Sequence, residues 1–269
     1  MKIDELARIV EEIAPMELQE EWDHSGWQLK LTDGEVRRVL TALEINEQVA
    51  DEAVRLQADL ILTHHPFLFG PLREIDCGTG LGSTVIKLVQ NGISVYSTHT
   101  PFDKCSGGNN DDIGRRLRLR AVKPMKEDQD GYCRTGMLAE PMTAEAFVFY
   151  AAEAFQISPD FFSFAGTADD MVRKIGWCSG AGADFLDAAF DAGCDLFLTG
   201  DVKYHTAQHA RDIGMNLLDC GHYATERIFA ENLTAQLTER LHPQDRPELL
   251  LSRVDLNPFV RLSKDSGAV

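Results

Sequence analysis

The sequence predicts an α/β protein built from two similar lobes. Three observations carry this. Strand-like apolar runs alternate with amphipathic helical stretches through most of the chain. A segment near residue 36 returns in recognisable form near residue 172. The strands that follow the two copies both end in a histidine with a carboxylate four residues on.

The elements follow in order. "MKIDELARIVEEIAP" spaces Ile3, Leu6, Ile9, Val10 and Ile13 at helical intervals with acids between, and Pro15 stops it. It lacks the uninterrupted apolar centre of a signal peptide. "VRRVLTALE" (36–44) is strand-like, "NEQVADEAVRLQ" (46–57) helical, and "ADLILTHH" (58–65) a strand. "STVIKLVQNG" (83–92) is a helix closed by Gly92, and "ISVYSTHT" (93–100) another strand. "CRTGMLAE" and "TAEAFVFYAAEAF" add a strand and an apolar helix, and "ELLLSRVD" a short last strand before a tail expected to be loose beyond Leu262. Repeated βα units argue for a largely parallel sheet. The expected lobes are 1–125 and 126–269.

The repeat is ungapped. Residues 36–65 laid over 172–201 match at eight positions: Val36/Val172, Arg37/Arg173, Asp51/Asp187, Ala53/Ala189, Asp59/Asp195, Leu60/Leu196, Leu62/Leu198 and Thr63/Thr199. Each copy leads through a helix and a glycine into another strand, "GISVYSTHTPFD" or "GMNLLDCGHYATE". One delivers His99 and Asp103, the other His222 and Glu226.

Bulk composition narrows the function. A chain of 269 residues, 44% hydrophobic, can bury a large core. Its 43 acids and 26 bases give a net charge of −17, which repels nucleic acid. "GRRLRLR" (114–120), the densest basic stretch, reads as a solvated helix face. No apolar run reaches the roughly eighteen residues a membrane span needs. The six cysteines form no CxxC pair, and Cys178, Cys194 and Cys220 sit in apolar runs, as thiols of a reducing cytoplasm do.

His64 and His65 are adjacent at a strand end. Neighbouring side chains on a strand point to opposite faces, so two such rings do not readily share one ligand. Either each ring takes a different metal ion, or one is a surface residue and the other is hydrogen-bonded in the core. Sites in parallel α/β sheets form at the carboxyl ends of strands. Two related lobes facing each other would therefore bring the doublet, His99, Asp103, His222 and Glu226 to one cleft. Imidazole and carboxylate suit Zn, Fe, Mn, Ni or Co, and two ions about 3.5–4 Å apart activate water between them.

Other stretches have plainer readings. "TGDVKYHTAQHA" offers Lys203 and His205 for substrate binding or proton transfer, against a helix start with Asp201 near its dipole. "SGAGADF" (179–185) could cradle a phosphate but is neither GxGxxG nor a P-loop. His24 reads as a packed or solvated loop residue. Cys105, in "DKCSGGNND", is the thiol nearest possible chemistry.

Six motifs in order resemble one family: "WDHSGWQL" (22–29), "ADLILTHHPFLF" (58–69), "STHTPFDKCSGGNND" (97–110), "SGAGADF", "LTGDVKYH" (198–205) and "DCGHYATER" (219–227). They are similar to those of the Nif-three-like dinuclear-metal proteins, many of which bear the name GTP cyclohydrolase 1 type 2 homologue. The resemblance implies a homohexameric toroid of α/β subunits with two similar interlinked lobes, each subunit holding two divalent metal ions in a cleft between lobes. It places the ligands on His64, His65, Asp103, His222 and Glu226, with Glu226 the bridge and His99 supporting or catalytic. Two positions depart from the family pattern: His24 stands where asparagine is usual, and Pro101-Phe102 where a more polar pair is common. The domain inserted between the lobes of longer members is missing.

The expectation is a cytoplasmic metal-dependent hydrolase. Its small-molecule substrate would be a nucleotide, with GTP opened at C8 the reaction the resemblance implies. His99 and His205 would move protons and Lys203 would bind substrate. A phosphoesterase or nucleotide hydrolase using the same residues is the alternative among enzymes. A metal-binding or metal-delivery protein, hexameric but not catalytic, is the alternative outside them.

Overall fold

A computed structural model describes residues 1–125 and 131–261. The chain opens with helix α1 (Ile3–Ile13), then strands β1 (Gly26–Leu29) and β2 (Arg38–Ala42), helix α2 (Glu47–Leu56) and strand β3 (Leu60–Thr63). Helix α3 (Gly80–Gln90), strand β4 (Ser94–Ser97) and the short helix α4 (Thr100–Lys104) follow. Helix α5 (Asn109–Arg116), strands β5 (Arg120–Pro124) and β6 (Arg134–Thr143), helix α6 (Ala144–Phe155) and strands β7 (Ser163–Ala165) and β8 (Met171–Trp177) come next. Then come α7 (Leu186–Asp191), β9 (Leu196–Thr199), α8 (Tyr204–Asp212), β10 (Asn216–Asp219) and α9 (His222–Glu226). Helix α10 (Phe229–Arg240) and strand β11 (Glu248–Leu251) complete the order.

These elements form two compact units. The first comprises Met1–Asn109 with Arg227–Asp255, and the second Asn110–Glu226 with the residues from Leu256 on. The expected lobes, 1–125 and 126–269, thus differ from the units in two places. Residues 110–125 belong to the second unit, because β5 pairs with β6. Helix α10 and strand β11 return to the first, because Phe229, Leu233, Leu237 and Leu241 pack with Ile3, Leu6, Val10 and Leu60 in one apolar core. The tail beyond Leu262 lies outside the described residues.

The first unit holds a five-stranded sheet in the order β1-β4-β3-β2-β11. Strands β4, β3, β2 and β11 are parallel and β1 runs antiparallel at the edge. Every residue of β3 and β4 is buried, as expected of strands covered on both faces. Helix α2 is capped by Asn46, whose side chain accepts from the Val49 amide at 2.9 Å.

The second unit holds a six-stranded sheet in the order β5-β6-β8-β9-β10-β7. Only β8, β9 and β10 are parallel; β5, β6 and β7 run antiparallel to their neighbours. A largely parallel sheet is therefore right for the first unit and only half right for the second. A parallel pair needs a crossover of about a dozen residues or more, and too few separate Pro124 from Arg134.

The repeat is real in three dimensions. Strands β2-β3-β4 and β8-β9-β10 are the same parallel triplet, each with an antiparallel strand on its last member. The matched aspartates do the same work. Asp59 Oδ2 accepts from the Arg37 and Arg38 amides at 2.7 and 2.9 Å. Asp195 Oδ2 accepts from the Arg173 and Lys174 amides at 2.9 and 2.7 Å. Among the described residues no helix is long and apolar enough to cross a membrane.

Candidate metal centre

In the first unit, β3 and β4 are neighbours and parallel, so their carboxyl ends stop side by side. His64 and His65 leave β3 and His99 leaves β4. One ring nitrogen from each of the three lies within 4.8 Å of the other two. The ring centroids of His64 are 5.2 Å from His65 and 5.0 Å from His99. The doublet converges because the strand has ended. The His64 and His65 amides both donate to the Leu43 carbonyl just past the end of neighbouring β2, and two successive amides on one acceptor break the pleat alternation.

Each ring is held from outside by its Nδ1. His64 Nδ1 lies 3.1 Å from the Thr98 carbonyl oxygen, which can only accept, so this nitrogen carries a proton and Nε2 is the atom turned towards the site. His65 Nδ1 is 3.1 Å from Glu44 Oε2, and His99 Nδ1 is 2.9 Å from Asp23 Oδ1. Imidazoles oriented through Nδ1 to a carbonyl or carboxylate are the usual form of a histidine that ligates through Nε2.

His64 is fully buried, with the Phe229 ring 5.0 Å away and Asp103 Oδ2 3.4 Å from its Nε2. Asp103, on α4, also accepts from Asn109 Nδ2 at 3.0 Å. The Oδ1 of Asn109, itself fully buried, has no hydrogen-bond partner, a state that buried polar atoms rarely keep without a ligand.

Asp23 anchors the loop that holds His99. It accepts from Ser25 Oγ at 2.8 Å, Thr100 Oγ1 at 2.6 Å and the His24 amide at 2.6 Å, besides His99. Burial alone would raise its pKa. The hydrogen bonds from His99 and Thr100, the charge of His99 and the bond from Ser25 outweigh burial and hold the carboxyl well below the usual range.

In the second unit, α9 begins at the end of β10 and puts His222 and Glu226 on one helical face. His222 Nε2 lies 2.8 Å from Glu226 Oε2, and its Nδ1 is 2.8 Å from Asp201 Oδ2. Burial would depress the imidazolium here. Glu226 first and Asp201 second overcome it, and the pKa rises to about 9. Glu226 is only 3% exposed. Gly180, at φ +60°, comes so close that a Cβ there would lie 2.2 Å from Glu226 Oε1. The "SGAGADF" stretch is also tied down by its amides: Gly180 donates to Thr225 Oγ1 and Gly182 to Thr199 Oγ1, each at 2.9 Å.

The expected ligands therefore stand in two sets: His64, His65 and Asp103 with His99 in the first unit, and His222 with Glu226 in the second. Lys203 and His205 do not join either set. Lys203 caps α8 and is exposed, and His205 is exposed with its ring against Tyr204 at 5.3 Å. His24 is an exposed loop residue whose backbone, not its ring, is engaged. Cys105 is buried in the apolar core of the first unit. Of the six thiols, only Cys77 is exposed.

Asp23, Glu44 and Asn109 belong to the site and were not picked out by sequence reasoning. Asp23 and Asn109 lie inside the quoted stretches "WDHSGWQL" and "STHTPFDKCSGGNND", so an acid and an amide flanked by aromatics and glycines were the available signal. Glu44 had only its place at the end of the strand before the doublet.

The donors suit a transition-metal site. His64, His65 and His99 in the first unit and His222 in the second each carry an outer hydrogen-bond partner, and within each unit one buried carboxylate lies against an Nε2: Asp103 at His64 and Glu226 at His222.

The chain is 32% identical over 263 residues to the GTP cyclohydrolase 1 type 2 homolog of Clostridium perfringens, covering 96% of this chain and 99% of that one. It is 32% identical over 229 residues to the Helicobacter pylori protein named GTP cyclohydrolase 1 type 2, covering 85% and 88%. Its fold superposes on a Bacillus cereus protein related to NIF3 with a TM-score of 0.91 at 22% identity, over 97% and 99% of the two chains. The family model for DUF34/NIF3 (NGG1p interacting factor 3) matches residues 1–258, and the chain belongs to that family.

Proposed function

We propose that this chain is a dinuclear-metal hydrolase acting on a nucleotide, with His64, His65, Asp103, His222 and Glu226 as ligands to two divalent ions and Glu226 as the bridge. The observation that carries the reading is the uniform treatment of the histidines. Each of His64, His65 and His222 has its Nδ1 taken by a carbonyl or carboxylate, which leaves Nε2 as the coordinating atom. Bound ions would supply a water nucleophile at neutral pH and polarise the group under attack.

The chain's own residues do the rest. Asp23 fixes the orientation of the His99 ring through Nδ1, which leaves His99 placed to deliver a proton to a leaving nitrogen or oxygen. Thr100 and Ser25 hold Asp23 in place for that role. Relatives that bear the name GTP cyclohydrolase 1 type 2 homolog make GTP the first substrate to test. Hydrolysis would open the purine at C8 and then release formate. Lys203 and His205 remain proposed contacts for the substrate's phosphates and protons. A homohexameric toroid in the cytoplasm is the assembly proposed.

The test is metal content per chain in the wild type, His64→Ala and Glu226→Ala, followed by formate release from GTP by the loaded protein. Two ions in the wild type, fewer in both variants, and turnover lost in variants that stay folded is the expected result. A wild type that takes up no divalent metal refutes the reading. Two readily exchanged ions with no turnover of GTP or of a phosphoester would make the protein a metal carrier instead.

A further inference from the structure

Two large aromatic rings stand in solvent beside the histidine cluster of the first unit. Trp22 is 58% exposed and Phe69 56%. They are stacked on each other, with centroids 6.2 Å apart and planes 30° from parallel. Both meet the same imidazole edge-on: His99 is 5.8 Å from Trp22 at 77° and 6.4 Å from Phe69 at 75°. The pair is thus a set of two nearly parallel plates with His99 standing across its foot.

The backbone under each ring is fixed by the site itself. Trp22 directly precedes Asp23, which is tied to His99, Thr100 and Ser25. Phe69 follows four residues after His65, and the amide of the intervening Leu68 donates to Gln28 Oε1 at 3.0 Å. Packing does not explain these rings, because neither belongs to the apolar core of the unit. Rings held on a rigid backbone, left in water and aimed edge-on at a histidine are built to meet a flat partner. A phosphate or an aliphatic acid would gain nothing from them, whereas a heteroaromatic base offers a π-face to stack and an edge to present to His99.

We propose that Trp22 and Phe69 form the stacking platform for a planar heteroaromatic ring, a purine base or its close kin, whose edge faces His99. The inference deepens the proposed function by assigning substrate selectivity to these two residues, and it rests on that reading only for the chemistry that follows binding.

The test is a titration of the full-length protein with guanosine, adenosine and ribose 5-phosphate, read by tryptophan fluorescence and by calorimetry, with and without added divalent metal. Of the three tryptophans, Trp177 is fully buried and Trp27 is half-buried against Tyr96, so Trp22 is the reporter. Saturable quenching by both nucleosides and none by ribose 5-phosphate is expected. Trp22→Leu should weaken nucleoside binding about tenfold, within the range of one base–aromatic stack, while Trp22→Phe retains most of it. Phe69→Leu should cost several-fold. Both positions are solvent-facing, and unchanged thermal unfolding verifies that the three variants fold.

Nucleoside affinity unchanged in Trp22→Leu, or no saturable nucleoside binding to wild type in either metal state, overturns the proposal. So does a Trp22→Leu protein that loses oligomeric mass but keeps nucleoside affinity, since the rings would then serve a subunit contact. Platform-dependent nucleoside binding by a protein that takes up no metal would sustain this inference while the hydrolase reading fails. Two ions and turnover without any preference for a base would do the reverse.

Discussion

Substituting Gly180 by alanine tests the geometry of the second unit's proposed metal ligands directly. Gly180 sits at φ +60°, where an L side chain costs about 1–2 kcal/mol. The new Cβ would lie 2.2 Å from Glu226 Oε1 and 3.3 Å from His222 Nε2. Glu226 is 3% exposed and cannot swing into water, so relieving the clash breaks its 2.8 Å contact with His222. A hydrogen bond to a charged partner is worth about 1.5–3 kcal/mol, and alanine returns about 0.4–1 kcal/mol by restricting the unfolded chain. The net loss is about 3 kcal/mol, which at about 2–4 °C per kcal/mol lowers Tm by about 6–12 °C. Gly193→Ala is the control. It has φ +71° but nothing within 4 Å of its Cβ, so it carries the backbone cost alone. Thermal unfolding of the metal-free proteins and metal uptake by the same samples are the two readouts. Gly180→Ala should unfold well below Gly193→Ala and bind less metal than it. If the two variants melt together and both load like wild type, the account of Glu226 is wrong.

Two further outcomes concern pH. Asp23 has a depressed pKa in the folded state, so its contribution to stability is present above the ordinary carboxylate value of 3.8 and is lost as pH falls below it. Urea unfolding between pH 5 and 3 should therefore show a smaller loss in Asp23→Asn than in wild type, alongside reduced turnover because His99 loses its anchor. Cys194 behaves oppositely. Burial pushes its thiol from 9.0 up to about 11, so the stability linked to it is intact below pH 9 and declines as pH rises towards 11, by up to about 3 kcal/mol. Cys194→Ala should flatten that alkaline limb in denaturant titrations, and an unchanged slope would show that the thiol is not buried as described.

The repeat was legible because its matched residues carry backbone duties that any copy must meet. Asp59 and Asp195 each tie down two amides of the adjacent strand, and Gln57 and Gly193 both hold the left-handed turn before a buried strand. The strands missing from the sequence reading lacked such marks. All five residues of β5 are exposed, so no apolar alternation announces it, while β7 has only three residues. Strand direction in the second unit was equally silent, since period-two burial looks the same either way. The histidines could be found because their chemistry is rare at strand ends. Their supports could not, because the Asp23–His99 and Glu44–His65 contacts join residues 76 and 21 positions apart and depend on how the loops close. Lys203 and His205 were named for residue type on a helix start, and burial was the property that sequence could not give them.

The order of elements along the chain has a consequence for synthesis. The second unit's stretch from Asn110 to Glu226 is continuous, whereas the first unit is interrupted by it. A chain emerging from the ribosome at about 5–20 residues per second makes the whole of that central stretch before it makes α10 and β11. Until then β2 has an open edge where β11 will pair, and His64 lacks the Phe229 ring that covers it. The nascent N-terminal portion must wait with an unpaired strand exposed, a state that invites pairing with other chains. The histidine cluster therefore acquires its finished surroundings only after the whole central stretch has been made, which ties the maturation of the proposed metal ligands to the synthesis of α10.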